Sequence, residues 1–533
     1  MRRIALKDLS AVVDAGGMFK HCLSSRCRKE GTSKTTMIFL LIATGILTVA
    51  LYKLFQFVQR YRELHAALNQ IPGANGHWLM GQVNEMGTVM DYYSLLTKYV
   101  EENGRMCRVW FTQAIGIVST FHPETMKLFL RSNDPKPNTP LDYKYLVPWL
   151  GQGLVISNGE KWDRDRKLLT PAFHFNTLKP YTKIFNETVD DLLNNLQKLS
   201  AGGESVEVYR LASAATLESM LLCALSYKSG IQNMKAGEKH PYVEAVSQIA
   251  DVVMYRALNI HLFSDFIFNL TSKGRETKKN LDFVHRFAEE IIAQRRMKLA
   301  ESKEVASHRN LDFLDILLTA KDDEGKGLTD EEIREQVDTF MFAGHDTTAT
   351  ATSWFLYALG QHPDLQEEVY QEVKLVLGDR KYVEGDDLPK LKKLTYFLKE
   401  SMRMYPTVPS VIRQTARPTE VDGIMIPKGV LIDINVYSLH HNPHVWENPW
   451  EFDPTRFDTD LHPNRDPYSF IPFVAGPRNC IGQNFAMNEV KIFFARIIQR
   501  FRVVEAPEHK VTLAADLVLR SSTGIWVKLA SRD

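Results

Sequence analysis

The chain has 533 residues, 44% of them hydrophobic and 24% charged, with 65 Lys and Arg against 64 Asp and Glu. A net charge of +1 excludes the basic excess by which nucleic-acid-binding proteins contact phosphates. The five cysteines are too few, and odd in number, for a disulfide framework, so a reducing compartment and an ordinary hydrophobic core are expected.

The N-terminal region differs in composition from the rest of the chain. Residues 1–34 carry eight Lys and Arg and three acids, and residues 35–52 contain no charge. As a helix, the uncharged segment would be about 27 Å long, which is enough to cross a bilayer. A signal peptide is the alternative, but no small-residue cleavage site follows the segment. We therefore predict a basic extension over residues 1–34 and a single transmembrane helix over residues 35–52.

After the anchor, residues 53–75 end in a run of turn-forming residues and are predicted to form a hinge. No linker-like tract interrupts residues 76–533, which are predicted to form one large domain. Apolar spacing predicts helices at residues 176–199, 242–268, 277–300, 330–361 and 365–377. Alternation around Gly and Pro predicts strands within residues 417–435 and a closing hairpin at residues 510–529. The predicted fold class is therefore mainly α with small β-sheets.

The longest predicted helix, residues 330–361, is interrupted in its middle by the sequence AGHDTT at residues 343–348. Thr329 and Glu332 are spaced as a capping box at its start. Gly costs up to about 1 kcal/mol relative to Ala inside a helix, and Thr and Asp compete for backbone hydrogen bonds. By itself, this interruption favours a packing notch with a solvated polar strip.

The sharpest motif is FVAGPRNCIG at residues 473–482. A thiolate that binds haem iron must be held deprotonated beside the metal by a tight loop. Gly476 and Gly482 would let the backbone turn and direct amide N–H groups at the sulfur of Cys480. Phe473 would shield the sulfur, and Arg478 would pair with a haem propionate. A buried free cysteine in a turn is the alternative.

These residues resemble the haem-binding signature of the cytochrome P-450 superfamily, and the resemblance extends over about residues 70–530. Glu400 and Arg403 match the family's Glu-x-x-Arg pair, and Arg456 matches the arginine that joins it. By resemblance, these three residues form a buried structural triad that holds the cysteine loop.

The resemblance also implies a set of haem contacts. Trp162 and Arg166 match the family's Trp-x-x-x-Arg helix, whose side chains bond the haem propionates, and Arg413 matches a further propionate partner. In this fold, Gly344 would face the iron, and Asp346 and Thr347 would be the catalytic acid and alcohol that relay protons for oxygen activation. The substrate pocket would be lined by Phe342, Ala343, Val411, Ile412 and Ser522.

The segments at residues 169–174, 335–348 and 475–480 are similar to family 4 of the superfamily, the fatty-acid and eicosanoid hydroxylases. Members of that family usually carry Glu where this chain has Ala343, and that carboxylate forms an ester with a haem methyl. Because Ala343 has no carboxylate, we expect haem b to be bound without a covalent link. We also expect in-chain products beside any terminal one.

The implied function is hydroxylation of long-chain fatty acids or related lipids at a terminal or near-terminal carbon, with O2 and electrons from NADPH. The implied partners are NADPH-cytochrome P-450 reductase and, as a second donor, cytochrome b5. A basic face with Lys161, Arg164, Lys167 and Lys491 would meet the acidic reductase. A haem-thiolate isomerase, which would not need the proton relay, and a non-catalytic haem or lipid carrier are the alternatives.

The implied location is the endoplasmic reticulum membrane, with the catalytic domain facing the cytosol. The basic extension favours the opposite orientation under the positive-inside rule. Translation from Met37 would remove the conflict, and so would a dominant folding signal from the long domain. Asn186 and Asn269 begin Asn-x-Thr acceptors that are glycosylated only in the lumen, so we predict that both are unmodified.

Overall fold

The computed structural model describes residues 34–139, 141, 143–233, 240–301 and 312–532. Residues 1–33, which hold nearly all of the predicted basic extension, lie outside this set. The chain divides into two compact units, one ending at Ala66 and the other beginning at Ala67.

The N-terminal unit consists of one long helix among the residues that are described. This helix, α1, runs from Lys34 to Leu68. Within it, Met37–Leu68 is long and apolar enough to span a membrane, and none of its most apolar window is buried by protein. This is the property of a membrane anchor, as predicted for residues 35–52. The helix continues past the predicted anchor, so only the part of the predicted hinge after Leu68 is non-helical.

The second unit is mainly helical. Its helices are α2 (Val89–Asn103), α3 (Pro123–Leu130), α4 (Val147–Leu150), α5 (Gly159–Leu169), α6 (Phe175–Leu178), α7 (Tyr181–Ser200), α8 (Val208–Leu225), α9 (Pro241–Leu258), α10 (Asp265–Leu270), α11 (Ser272–Glu301), α12 (Phe313–Thr319), α13 (Asp330–Gln361), α14 (Pro363–Leu377), α15 (Lys392–Met404), α16 (Val436–His440) and α17 (Gln483–Arg500).

In the part of the chain that the structure describes, the strands are short and form four small sheets. They are β1 (Met106–Thr112), β2 (Ile115–Thr120), β3 (Val206–Glu207), β4 (Ser410–Gln414), β5 (Thr419–Val421), β6 (Ile424–Ile426), β7 (Leu431–Asn435), β8 (Phe501–Glu505), β9 (Leu513–Ala515), β10 (Leu519–Ser521) and β11 (Trp526–Ser531). The largest sheet has the order β1-β2-β7-β4, in which β2 and β7 are parallel. The others are β3-β11-β8 and the hairpins β5-β6 and β9-β10. The fold class is therefore mainly α with small sheets, as predicted.

The central helix α13 has the predicted bounds. The Thr329 side chain accepts a hydrogen bond from the Glu332 amide, and the Glu332 carboxylate accepts one from the Thr329 amide at 2.9 Å, so the capping box is formed. The helix packs along its length against α8 and also contacts α11, α15 and α17. It therefore passes through the core, where its polar residues need partners.

Three predicted elements differ from the structure. Residues 176–199 fall in two helices, α6 and α7, which are separated by Lys179 and Pro180. Residues 242–268 form two helices, α9 and α10, because Asn259 leaves the helical region (φ −114°, ψ 93°) and its side chain donates to the Tyr255 carbonyl. The closing hairpin at residues 510–529 comprises only β9 and β10. Strand β11 pairs instead with β8, so that the buried Val527 and Leu529 share a sheet with the buried Val503.

Candidate functional site

The loop that carries Cys480 lies directly before α17 and is shaped by its own backbone. The Cys480 amide donates to the Phe473 carbonyl at 3.0 Å, and Phe473 itself is half-buried. Gly476 has φ +77°, and a Cβ at this position would lie 2.0 Å from the Leu130 carbonyl oxygen. Glycine is therefore required at position 476 for both the turn and the close approach of the chain.

Gly482 fulfils only part of its expected role. Its φ of −86° is open to any residue, so it does not serve the turn. A Cβ there would lie 3.9 Å from Cys480 Sγ and 3.8 Å from the Phe173 ring, both ordinary contacts. Phe173 in turn stacks on Phe340 of α13, with ring centroids 5.4 Å apart. Position 482 thus lies beside the sulfur, close to the aromatic side chains that connect the cysteine loop to the central helix.

Cys480 keeps accessible surface although protein surrounds its sulfur. Burial raises the pKa of the Cys480 thiol, while a hydrogen bond from the Gly482 amide and the positive charge of Arg166 lower it. The loop thus supplies part of the stabilisation that a thiolate needs, and a metal cation bound to the sulfur would supply the rest.

Four cationic side chains converge near this loop. Arg166 of α5 donates to the Asn479 carbonyl and side-chain oxygens, both at 2.9 Å. Arg478 donates to the Ser157 carbonyl at 3.0 Å and lies 4.4 Å above the ring of Trp162.

Arg413 lies on β4 and is buried. Lys136, the fourth cation, donates to the Val155 carbonyl at 2.5 Å. We did not predict Lys136, because nothing in its local sequence marks it.

The charges of this group, the cation cluster of Lys136, Arg166, Arg413 and Arg478, are not balanced by acids. Among the described residues, none of the four forms an ion pair. Burial and repulsion from Arg413 lower the pKa of Arg478 to about 10. Burial and the three arginines also lower the pKa of Lys136 well below its ordinary value. Such a cluster is stabilised by a bound anion, and the two propionates of haem fit it.

Glu400 and Arg403 of α15 form a fully buried ion pair. Two nitrogens of Arg403 donate to the two Glu400 oxygens at 2.7 and 2.8 Å. Arg403 also donates to the carbonyls of His440, Pro449 and Glu451. Arg456 lies 3.5 Å from Glu400, and its other nitrogens bond two loop carbonyls. The three predicted structural residues are therefore together, and they hold residues 440–456 in place.

Gly344 lies where α8 packs against α13. A Cβ at this position would lie 2.7 Å from Met220 Sδ on α8. The glycine is thus a packing notch that lets α8 approach α13, which is what the sequence pattern alone favoured. Ala343 and Thr347, one helical turn apart, are half-buried, and the Thr347 hydroxyl donates to the Ala343 carbonyl at 2.8 Å.

Asp346 is buried and is held by two neighbours. Nη2 of Arg520 on β10 lies 2.8 Å from Oδ1 and 2.7 Å from Oδ2 of Asp346. The hydroxyl of Tyr209 on α8 donates to Oδ1. Neither partner was predicted from the sequence, because each lies more than a hundred residues from Asp346 and nothing in the local pattern marks it. The predicted acid is therefore ion-paired rather than free.

The predicted pocket residues fall into two groups. Val411 and Ile412 are half-buried on β4, and Phe342 is buried against Trp149 at 4.6 Å between ring centroids. Ser522 is exposed, and its amide donates to the Thr512 carbonyl, so its place in the substrate pocket stays a prediction. The β9-β10 hairpin contacts the segment before β4 at Leu519, three residues before Ser522. The Leu519 amide donates to the Thr407 carbonyl at 2.9 Å.

The predicted basic face is largely neutralised within the protein. Lys161 and Arg164 both lie within 3.0 Å of Glu332, and Lys167 lies 2.6 Å from Asp323. Lys491 is half-buried and donates to the Leu388 carbonyl. These four residues therefore do not form the free positive surface that the sequence suggested.

Comparison with known proteins matches the chain to one family over nearly the whole second unit. The sequence model of the family described as Cytochrome P450 matches residues 71–528. The chain is 37% identical over 487 residues to Cytochrome P450 4A7 of Oryctolagus cuniculus, covering 91% of this chain and 94% of the relative. It is 39% identical over 505 residues to Cytochrome P450 4F2 of Homo sapiens, covering 92% and 95%. Over 440 residues it is 43% identical to Cytochrome P450 4F3 of Homo sapiens, covering 80% and 83%.

Proposed function

We propose, because the chain belongs to the cytochrome P450 family, that this monooxygenase hydroxylates long-chain fatty acids or related lipids at a terminal or near-terminal carbon. The observation that carries the proposal is the unbalanced cation cluster beside the Cys480 loop, which fits the propionates of a haem whose iron Cys480 binds. When bound, haem supplies the iron at which dioxygen is activated.

The reaction consumes one lipid, one O2, one NADPH and one proton, and yields the hydroxylated lipid, water and NADP+. The proposed electron route is from NADPH through the diflavin reductase, with cytochrome b5 as an optional second donor. Thr347 and Asp346 are proposed to move the protons that become part of the water. Val411, Ile412 and Phe342 are proposed to exclude water and to orient the apolar chain.

We propose that the haem is held without a covalent link, because position 343 is Ala. The experiment is extraction into acidified organic solvent, which should recover unmodified protohaem. Ala343→Glu places a carboxylate on the half-buried face of α13 beside Thr347, and should make part of the haem resist extraction. Covalent haem in the unmutated protein would contradict this proposal. Without the ester, the substrate chain is fixed less strictly, which favours in-chain products beside terminal ones.

The proposed location is the endoplasmic reticulum membrane, with the domain in the cytosol beside the reductase. The structure makes only one of the two glycosylation reporters informative. Asn186 is buried, and its side chain donates to the Val383 carbonyl at 2.9 Å. Asn269 is exposed on α10 and is the usable reporter. We expect Asn269 to be unmodified and the domain to be protease-accessible in intact microsomes; a glycan on Asn269 would reverse the orientation.

The function is tested by reconstituting the protein with the reductase and a panel of lipids, followed by mass spectrometry of the products. We expect NADPH-dependent incorporation of one oxygen atom from O2 into a long-chain fatty acid or related lipid. Rearrangement of a lipid peroxide without O2 or NADPH would support the isomerase instead. Lipid binding without NADPH oxidation would support the carrier.

A further inference from the structure

Asp433 on β7 is a buried acid to which the proposed reaction gives no role. It is 1% exposed, and no basic side chain of the described residues forms an ion pair with it. A buried carboxylate without a cation has to be stabilised by hydrogen bonds alone. The donors that surround Asp433 therefore show what this residue holds together.

Three neutral side chains donate to the Asp433 carboxylate. The Ser410 hydroxyl of β4 donates to Oδ1. The Tyr92 hydroxyl of α2 and the Asn435 amide donate to Oδ2, at 2.6 and 3.0 Å. Burial raises the pKa of Asp433, and these three hydrogen bonds lower it. The carboxylate is thus a common acceptor that joins α2, β4 and the end of β7.

Two of the donors are themselves fixed by further hydrogen bonds. Because the one hydroxyl proton of Tyr92 goes to Asp433, the Ser119 hydroxyl of β2 donates to the Tyr92 oxygen. The Asn435 side-chain oxygen accepts from the Ser438 amide at 2.8 Å, at the start of α16. No polar side-chain atom of this network is buried without a partner. A fully satisfied buried network of this kind holds its elements in one arrangement.

The network holds β4 from the face opposite to the cation cluster. Successive side chains of a strand point to opposite faces, so Ser410 points away from the face that carries Val411 and Arg413. Arg413 belongs to the cation cluster, and Val411 is a predicted pocket residue. The Ser410 hydroxyl is bonded directly before Val411 in the strand. A shift of Ser410 would therefore move Val411 relative to the cation cluster.

We infer that Asp433 is a positioning residue, which fixes β4 through Ser410 and thereby determines where along the lipid chain the protein hydroxylates. With the Ser410 hydroxyl bonded, Val411 has one position beside the bound lipid. Without this bond, the start of β4 is held by backbone hydrogen bonds alone, and the lipid binds in more than one register. The inference rests on the proposed function for the substrate, and not for the hydrogen bonds themselves.

The test compares Ser410→Ala with the unmutated holoprotein in two measurements. The first is the ratio of terminal to in-chain hydroxylated products formed from palmitic acid. We expect a broader set of products in Ser410→Ala, with this ratio changed at least about threefold. The expected change is modest, because a displacement of about 1 Å at a positioning group alters rates by up to about 100-fold.

The second measurement is hydrogen–deuterium exchange of the amides of residues 410–414, followed by mass spectrometry, which needs no substrate. In Ser410→Ala these amides should exchange at least about tenfold faster, because a strand that loses a side-chain bond opens locally more often. Asp433→Ala should show both effects. Asp433→Asn should resemble the unmutated protein, because an amide accepts from two donors through its oxygen and donates to the Ser410 oxygen.

The matched control is Tyr92→Phe, which removes one hydrogen bond from the same carboxylate on the side of α2. Ser410 and Asn435 keep their bonds to Asp433 in this variant. It should be less stable, as Ser410→Ala should be, but should keep the product ratio and the exchange rate of residues 410–414.

Two results overturn the inference. One is an unchanged product ratio in Ser410→Ala, whether or not its amides exchange faster. The other is a change of equal size in Tyr92→Phe, which would show that general loosening of the domain, and not the position of β4, determines the products. If instead the unmutated protein forms no lipid product, the proposed function fails, while hydrogen exchange still decides whether Asp433 fixes β4.

Discussion

The cation cluster beside Cys480 and the ion pair between Asp346 and Arg520 lie in the same domain but balance their charges differently. Lys136, Arg166, Arg413 and Arg478 lack acidic partners among the described residues, and burial together with their mutual repulsion lowers the pKa of Lys136 and Arg478. Asp346 has Arg520 and Tyr209 within hydrogen-bond distance. Unbalanced buried charge marks the place of a ligand, whereas balanced charge marks groups that the protein itself positions.

The difference predicts opposite effects when one cation is removed. In a balanced cluster, loss of the cation leaves a lone buried carboxylate. In an unbalanced cluster, loss of one cation relieves repulsion in the ligand-free protein. In the protein with ligand bound, the same loss removes a contact to the ligand. Arg403→Ala removes a cation from a balanced pair, and Lys136→Met removes one from the unbalanced cluster.

Arg403→Ala should have the largest effect on stability. It leaves Glu400 buried without its main partner and frees three loop carbonyls, which should lower the free energy of unfolding by about 3–5 kcal/mol. Chemical denaturation of the holoprotein measures this loss. Arg105→Ala is the control, because Arg105 pairs with Asp422 and Glu124 at the surface and should cost about 0–1 kcal/mol. Equal losses in the two variants would contradict the buried role of Arg403.

Gly476→Ala should have the next largest effect. The added Cβ would clash with the Leu130 carbonyl oxygen, and alanine would have to adopt the positive φ of this turn. We expect the free energy of unfolding to fall by about 1–3 kcal/mol and haem retention to weaken. Gly482→Ala is the matched control, because its backbone is ordinary and its Cβ makes only normal contacts. We expect Gly482→Ala to fold with undiminished stability, and comparable unfolding midpoints in the two variants would show that the turn does not need Gly476.

Lys136→Met tests the unbalanced cluster directly. The haem-free protein should be at least as stable as the unmutated one, because one of four like charges is removed. Since folding lowers the pKa of Lys136, the unmutated protein should gain stability relative to the variant as pH rises toward about 10.4, where unfolded Lys titrates. Haem loss from the holoprotein should be about tenfold faster, since one charge-assisted contact is gone. A less stable haem-free variant with unchanged haem loss would assign Lys136 to packing.

Thr347→Ala should change stability least, by less than about 1 kcal/mol, since Thr347 is half-buried. We expect haem and lipid binding to persist while reducing equivalents are diverted to hydrogen peroxide or water, because proton transfer is mistimed. Thr348→Ala is the matched control. Thr348 also donates to a carbonyl one turn earlier, at 2.8 Å, but it is buried on the face toward α8 and α17. Full coupling in Thr347→Ala would remove this residue from the mechanism.

The sequence predicted the parts of the fold that depend on local patterns. The capping box at Thr329 and Glu332 gave the start of α13, and the spacing of Glu400 and Arg403 gave their ion pair, because both involve residues one helical turn apart. The uncharged run at residues 35–52 gave the anchor. The first part of the predicted hinge is helical because residues 53–68 contain no Gly or Pro.

The remaining features depend on contacts between distant segments. The close approach of Met220 to Gly344 could not be predicted, because it is set by how α8 packs on α13. Lys136 and Arg520 were missed because their partners lie far away in the sequence. The sequence does not distinguish paired from unpaired charged side chains, because pairing depends on which distant segments the fold brings together.

Whether Cys480 and the cation cluster form a haem-thiolate site is decided by the absorption spectrum of the reduced protein with carbon monoxide. We predict the red-shifted Soret band of thiolate ligation in the unmutated protein, and loss of both that band and lipid hydroxylation in Cys480→His. Cys223→Ser, which alters a buried cysteine of α8, should leave the band unchanged. A normal red-shifted band in Cys480→His would show that Cys480 is not the iron ligand.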